Sequence, residues 1–170
     1  MPTTQTYIDI ENGRLTRQTA IATSAGAGDA GKLPRLDGTG RIDNSMMPTG
    51  IGADTALIVA SENLAAGDFV NLWNNAAVIN VRKADATTSG KEADGFVLAA
   101  VTASASATVF FEGTNTQRTG LTAGSRYYLA ITAGGVTTTA PSAAGNVVQY
   151  IGKAVSTTAI SYEGDEGIIL

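Results

Sequence analysis

Histidine and cysteine are both absent from the 170 residues. That removes the usual general base, the usual thiol nucleophile and most zinc and copper ligand sets. Chemistry would then fall to carboxylates and hydroxyls. Acids pair at Asp165-Glu166 and again at Glu92 and Asp94. Both pairs stand in Gly-rich or polar stretches, where a hydrated surface is the simpler reading than a general acid–base couple. Neither GxSxG nor SxxK is present to activate a serine. Gly26-Ala27-Gly28-Asp29-Ala30-Gly31 matches GxGxxG by letter. A dinucleotide loop also needs a preceding buried strand and a following helix, whereas Pro34 follows three residues later and no helical pattern opens. This stretch reads as a linker. The run from Asp37 to Asp43 loosely has the shape of a calcium loop. It lacks acids at alternate positions and a closing Glu, and Arg41 would place a cation in the site. Trp73, Tyr127 and Tyr128 could offer a face to a sugar, but adjacent tyrosines point to opposite sides of a strand, which favours packing. No catalytic, cofactor or metal residue is nominated, and the chain reads as a protein that is not an enzyme.

The elements that would position any site are short strands. Residues 127–131 predict a strand, Gly134-Gly135 a tight primed turn with both residues at positive φ, and 136–139 the return. Pro141 stops further pairing because it has no N–H to donate. A second pair is expected at 147–155 and 159–162, turning through 156–158. Upstream, strands are predicted at 56–60, 69–73, 77–81, 96–101 and 108–112. Asn74-Asn75 supplies a hairpin turn, while 82–94 and 113–124 are read as exposed loops. Ile168-Ile169-Leu170 reads as a strand fragment or anchor. About eight to ten short strands at this spacing are the pattern of a β-sandwich or β-barrel of antiparallel strands. Low aromatic (6%) and charged (15%) content, with 20 glycines, agrees with a mainly β chain.

Residues 1–52 differ from 53–170. Residues 6–11 and 14–19 flank Asn12-Gly13, the strongest short hairpin signal. An isolated hairpin is marginal in water, so this one is expected to dock on something. A Gly- and Ala-rich stretch follows, with spaced apolar anchors and no periodicity. It reads as an extended arm, reaching about 100 Å over thirty residues if fully stretched. The residues expected to bind a partner are Tyr7, Ile8, Ile10, Leu15, Leu33, Leu36, Ile42, Met46 and Met47.

The net charge is −4 and no Lys/Arg run exists, so direct binding to a nucleic-acid backbone is not expected. No apolar run approaches the roughly 20 residues that span a bilayer, and no signal peptide is read at the start. A soluble protein with no membrane partner is expected. Residues 96–101 and 107–111 are apolar on both faces, which one-sided exposure would not require. Phe110 and Phe111 are adjacent and must face opposite sides of their strand. One can fill the core, and the other predicts an interface with further copies of the chain.

Two stretches carry a resemblance. Gly31-Lys32-Leu33-Pro34-Arg35-Leu36-Asp37-Gly38-Thr39-Gly40-Arg41-Ile42-Asp43-Asn44-Ser45-Met46-Met47-Pro48 resembles a linker common in tailed-phage structural proteins. Residues 120–161, with GLTAGSRYYL, GGVTT and QYIGKAVS, resemble the C-terminal β-domain of the same virion proteins. The compact length, without a repeated shaft, is similar to capsid decoration (cement) proteins. The resemblance implies a virion protein made in the host bacterial cytoplasm and carried on the capsid surface. It further implies a homotrimer that bridges copies of the major capsid protein. A tail, collar or fibre-associated protein, glycan-binding in one form, is the other reading left open.

Overall fold

A computed structural model describes residues 5–47 and 53–170. The chain divides into two compact units, Met1–Gly52 and Ala53–Leu170. The ends of the expected arm, 1–4 and 48–52, lie outside the described residues.

In the first unit, β1 (Thr6–Glu11) and β2 (Arg14–Thr19) pair antiparallel, with Ile10 opposite Leu15 and Ile8 opposite Arg17. Asn12 (φ 50°) and Gly13 (φ 75°) close them, the double left-handed turn that asparagine and glycine tolerate best. The glycine-rich stretch after it is not extended but drawn into turns. The Ile21 N–H donates to Leu33 O at 3.0 Å, and the Arg35 N–H to Ile21 O at 2.8 Å. Short 3-10 turns occupy Ala27–Asp29 and Asn44–Met46. Short acids hold this course locally, because each carboxylate offers the backbone an acceptor that a bare glycine chain lacks. Asp37 accepts from the Thr39 and Arg41 N–H groups, Asp43 from that of Ser45, and Asp29 from that of Ala25 and from Lys32. No described residue of this unit is buried.

The second unit is built on two five-stranded antiparallel sheets. The first contains β3 (Thr55–Val59), β4 (Phe69–Asn75), β5 (Val78–Lys83), β6 (Gly95–Val97) and β7 (Ser106–Phe110), in the order β3-β7-β6-β4-β5. Its two edges meet. Ala60 bridges Val81, and the Ser61 N–H donates to Val81 O at 2.9 Å. The sheet therefore curls toward a barrel around Ala60, Leu64, Val70, Val81, Val97, Ala107 and Val109.

The second sheet contains β8 (Gly113–Asn115), β9 (Arg126–Leu129), β10 (Val136–Thr137), β12 (Tyr150–Ala154) and β13 (Ile160–Tyr162), ordered β10-β9-β12-β13-β8. A separate ribbon pairs β11 (Val147–Val148) with β14 (Ile168–Ile169). Phe69 and Phe96, on the outer face of the curled sheet, pack on Leu129, Ile151, Ile160 and Tyr162 of the second. Ring centroids of Phe69, Phe96 and Tyr162 lie 5.7–6.2 Å apart. The unit is mainly β, a sandwich with one sheet curled on itself. Its curled sheet walls two cores at once, which is why Phe96 and Val97 are both buried. β7 instead alternates, with Ala107 and Val109 buried and Ser106 and Thr108 exposed, so it is not apolar on both faces.

Several expected boundaries move, each for a local reason. Residues 82–94 are an exposed loop only in part, at 87–90. Arg82 and Lys83 extend β5, and Ala84, Ala86 and Ala93 are buried. Small side chains let this segment pass between the sheets. The Ala84 N–H donates to Phe69 O, the Ala86 N–H to Ala130 O, and the Val147 N–H to Ala86 O. The stretch 113–124 likewise opens with edge strand β8, whose Asn115 is fully buried and donates to Gly67 O at 2.9 Å. The β4–β5 turn sits at Ala76-Ala77 rather than Asn74-Asn75. The Gly134-Gly135 turn is wider than a primed pair, since only Gly134 has positive φ (73°) and Ala130 N–H reaches Gly135 O. Its tip is docked, with Gly134 N–H on Ala84 O and Gly134 O receiving the Phe69 N–H. A Cβ at Gly134 would lie 2.6 Å from Asp68 Oδ1, so the glycine answers a close approach as well as a turn.

Candidate functional site

The expected partner-binding residues fall into two groups. Alternation puts Ile8 and Ile10 on one face of the β1–β2 ribbon, and pairing sets Leu15 beside Ile10. All three are exposed, Leu15 to 75%. Tyr7 points to the other face, where its hydroxyl accepts the Leu33 N–H at 3.2 Å. Leu33, Leu36, Ile42 and Met47 are exposed along the following stretch, and Met46 is half-buried. The ribbon thus gathers Ile8, Ile10 and Leu15 into one apolar strip, while the other anchors are strung along turns. The GxGxxG letters fold as the 3-10 turn at Ala27–Asp29, without a strand before or a helix after. Asp37, in the calcium-like stretch, spends its carboxylate on Thr39 and Arg41, and those bonds hold its pKa low.

Phe110 and Phe111 part as adjacent strand residues must. Phe110 stacks on Phe96 at 5.5 Å beside the core between the sheets, and Phe111 packs beside the core inside the curled sheet. Both are half-buried, so the chain itself supplies part of their cover. Larger apolar exposure in this unit falls on residues not nominated from the sequence. Leu57 and Val59 are exposed on β3, Val78 and Ile79 at the start of β5, and Ile168, Ile169 and Leu170 at the ribbon. Ala56, Leu57, Ile58 and Val59 are all apolar, so nothing in the sequence marked Leu57 and Val59 as the exposed face of β3.

The three aromatics weighed as a sugar platform are separated. Tyr127 is buried and its hydroxyl accepts from the Thr122 N–H. Tyr128 meets Tyr150 edge-on at 6.0 Å, and Trp73 donates to Ser61 beneath the Arg82 guanidinium. The carboxylates converge more than their spacing suggested. Glu92, Asp94, Asp165 and Glu166 line one depression of about 510 Å³. Among the described residues, no group of three or more acids is placed to hold a metal ion. Tyr162, at its edge, donates to Ala93 O at 2.9 Å, and burial pushes its pKa up to about 12.

Sequence reasoning missed the polar junction between the sheets. Asp68, on the turn before β4, accepts the Ala65 N–H and lies 3.9 Å from Lys83 Nζ. Burial raises its pKa above the ordinary 3.8. Arg118 crosses the same junction, its Nη1 donating to Gly67 O at 3.0 Å and Gly134 O at 3.2 Å, its guanidinium over the Phe69 ring. A lone arginine inside an otherwise polar loop gave no sequence signal for this role. Among the described residues, no helix is long and apolar enough to cross a membrane. No family model, no curated protein and no solved structure matches this chain.

Proposed function

We propose that the chain is a structural virion protein of a tailed phage that binds the outside of the capsid and stabilises it by bridging neighbouring copies of the major capsid protein. One observation carries the reading: in a unit where no described residue is buried, Ile8, Ile10 and Leu15 form one exposed apolar strip on a well-closed hairpin. Such a strip gains by covering itself on another surface, at roughly 25 cal/mol per Å² of apolar area removed from water. The linker that follows it resembles those of tailed-phage virion proteins, and the compact length without a repeated shaft favours a shell as that surface. Modest contacts repeated over a lattice then add through avidity. Assembly as a homotrimer on the shell belongs to the same proposal, with Leu57 and Val59 beside Phe110 as the apolar surface offered to a neighbouring copy.

Co-sedimentation with capsids lacking the protein tests the reading. Wild-type chain is expected to pellet with shells. Ile8→Ser, Ile10→Ser and Leu15→Ser together should remain in the supernatant while circular dichroism keeps the strand signal. Undiminished pelleting of that triple variant sinks the ribbon's role. Sedimentation velocity at micromolar concentration tests the preformed trimer, and a strictly monomeric species leaves assembly on the shell.

A further inference from the structure

A cavity of about 690 Å³ in the second unit opens between Arg118 and the loops that follow β9 and β10. Its volume is that of a small-molecule site. Its walls have three chemical parts. Ile131, Val136 and Pro141 are apolar; Thr132, Ser142 and Asn146 carry hydroxyl and amide groups; Arg118 is the one cation.

Arg118 is held but not neutralised. Its Nη1 is spent on two carbonyls, and its Nε is enclosed without an acceptor. Nη2 takes no acceptor from the described residues. No described acid is in direct ion-pair contact with the guanidinium; Asp68 pairs with Lys83 and acts on Arg118 at longer range, so one acid faces two cations. A guanidinium fixed by neutral carbonyls, desolvated and sharing Asp68 with a second cation, is a preorganised seat for an anion. One cation matches a monoanion. A phosphate dianion would be left half compensated in a partly buried site, and a chain of net charge −4 repels polyanions. No aromatic ring lines the cavity, so a stacked base or aromatic acid has no platform. Apolar patches alternating with hydroxyls and an amide fit a pyranose, whose faces are apolar and whose rim is hydroxylated.

We propose that this cavity binds a saccharide bearing a carboxylate, of the uronic-acid class, with the carboxylate on Arg118 and the ring hydroxyls toward Thr132, Ser142 and Asn146. The site does not rest on the capsid reading, and either can fail alone.

The test is an amide-shift NMR titration of the full chain with glucuronate, glucose and acetate in parallel. Glucuronate is expected to shift the Ile131, Thr132, Ser142 and Asn146 amides saturably, with a dissociation constant on the order of 1 mM. Glucose and acetate should each bind at least about tenfold more weakly, because each offers only part of the recognition. Arg118→Gln should abolish the glucuronate response. Should that variant unfold, Ser142→Ala with Asn146→Ala, both on the loop after β10, should weaken glucuronate at least about threefold while leaving acetate unchanged. Three results overturn the proposal: no saturable shift with glucuronate, equal binding of glucose, or acetate or a glutamate-bearing peptide matching glucuronate. The last would make the site a plain carboxylate seat for a protein partner.

Discussion

The β1–β2 and β4–β5 hairpins close through the same two-residue, doubly left-handed turn, with opposite chemistry on each side of it. In the first, φ is 50° and 75° at Asn12-Gly13; in the second, 52° and 69° at Ala76-Ala77. Left-handed backbone costs an alanine roughly 1–2 kcal/mol and costs glycine almost nothing. The β4–β5 pair tolerates that strain because Phe69, Val70 and Val81 are fully buried, each contributing about 1.5–3 kcal/mol. A hydrogen bond from the Ala77 N–H to Asn74 Oδ1 at 2.8 Å also steadies it. The β1–β2 pair buries nothing, so its turn residues and local hydrogen bonds must hold it. Core burial makes turn chemistry dispensable; without burial, turn chemistry decides.

The two hairpins should differ most when a large side chain is removed. Phe69→Ala should cost the second unit about 3–5 kcal/mol and unfold it or shift its denaturation midpoint strongly. Ile10→Ala, also a large-to-small change, should stay within about 0.5 kcal/mol because that side chain is already in water. Gly152→Ala comes next. Gly152 (φ 149°) sits where the β9–β12 register shifts, and a Cβ there would collide with the Ser161 carbonyl oxygen. A loss of about 3 kcal/mol by chemical denaturation is expected.

Exchanging turn residues should act on the two hairpins in opposite directions. Ala76→Asn with Ala77→Gly should stabilise the second unit by about 1–2 kcal/mol, seen as a higher midpoint at unchanged m-value. Asn12→Ala with Gly13→Ala should strip hydrogen-exchange protection from the β1 and β2 amides and leave the midpoint of the second unit where it was.

The smallest effect is in pH. Asp37 is held below the ordinary 3.8 by bonds from Arg41 and Thr39, and Asp29 by those from Lys32 and Ala25. Their contribution is complete above 3.8 and is lost only as pH falls through the depressed values. Asp68 runs the other way. Burial raises its pKa, so stability held in its protonated form is present below 3.8 and lost as pH rises through the raised value. Mild acidification should therefore raise the second unit's denaturation midpoint in wild type and raise it less in Asp68→Asn. Loop amides around Asp37 should stay protected until below 3.8.

The same division governs how much was legible in the sequence. Asn12-Gly13 placed β1 and β2 to the residue, because a local rule alone decides that hairpin. Short apolar runs located the strands at 69 and 96, and period-two alternation the one at 127, although β6 ends at Val97 rather than at 101. The Ala76-Ala77 turn was unreadable, since nothing local favours two left-handed alanines over Asn74-Asn75; the pairing of Val70 with Lys83 and Leu72 with Val81 sets it. Residues 84–86 looked polar and exposed because their burial comes from both sheets closing over small side chains. The Ile8–Ile10–Leu15 strip could be read from alternation around the turn. Arg118 could not, because its partners, Gly67 O and Gly134 O, are distant in sequence and are backbone atoms.

If the chain coats a phage shell as proposed, its copy number in purified virions, measured by quantitative mass spectrometry against the major capsid protein, reports it. A ratio that scales with the number of shell subunits is the predicted result. Absence from the particle, or a count fixed at the few copies of a tail or collar component, would contradict it.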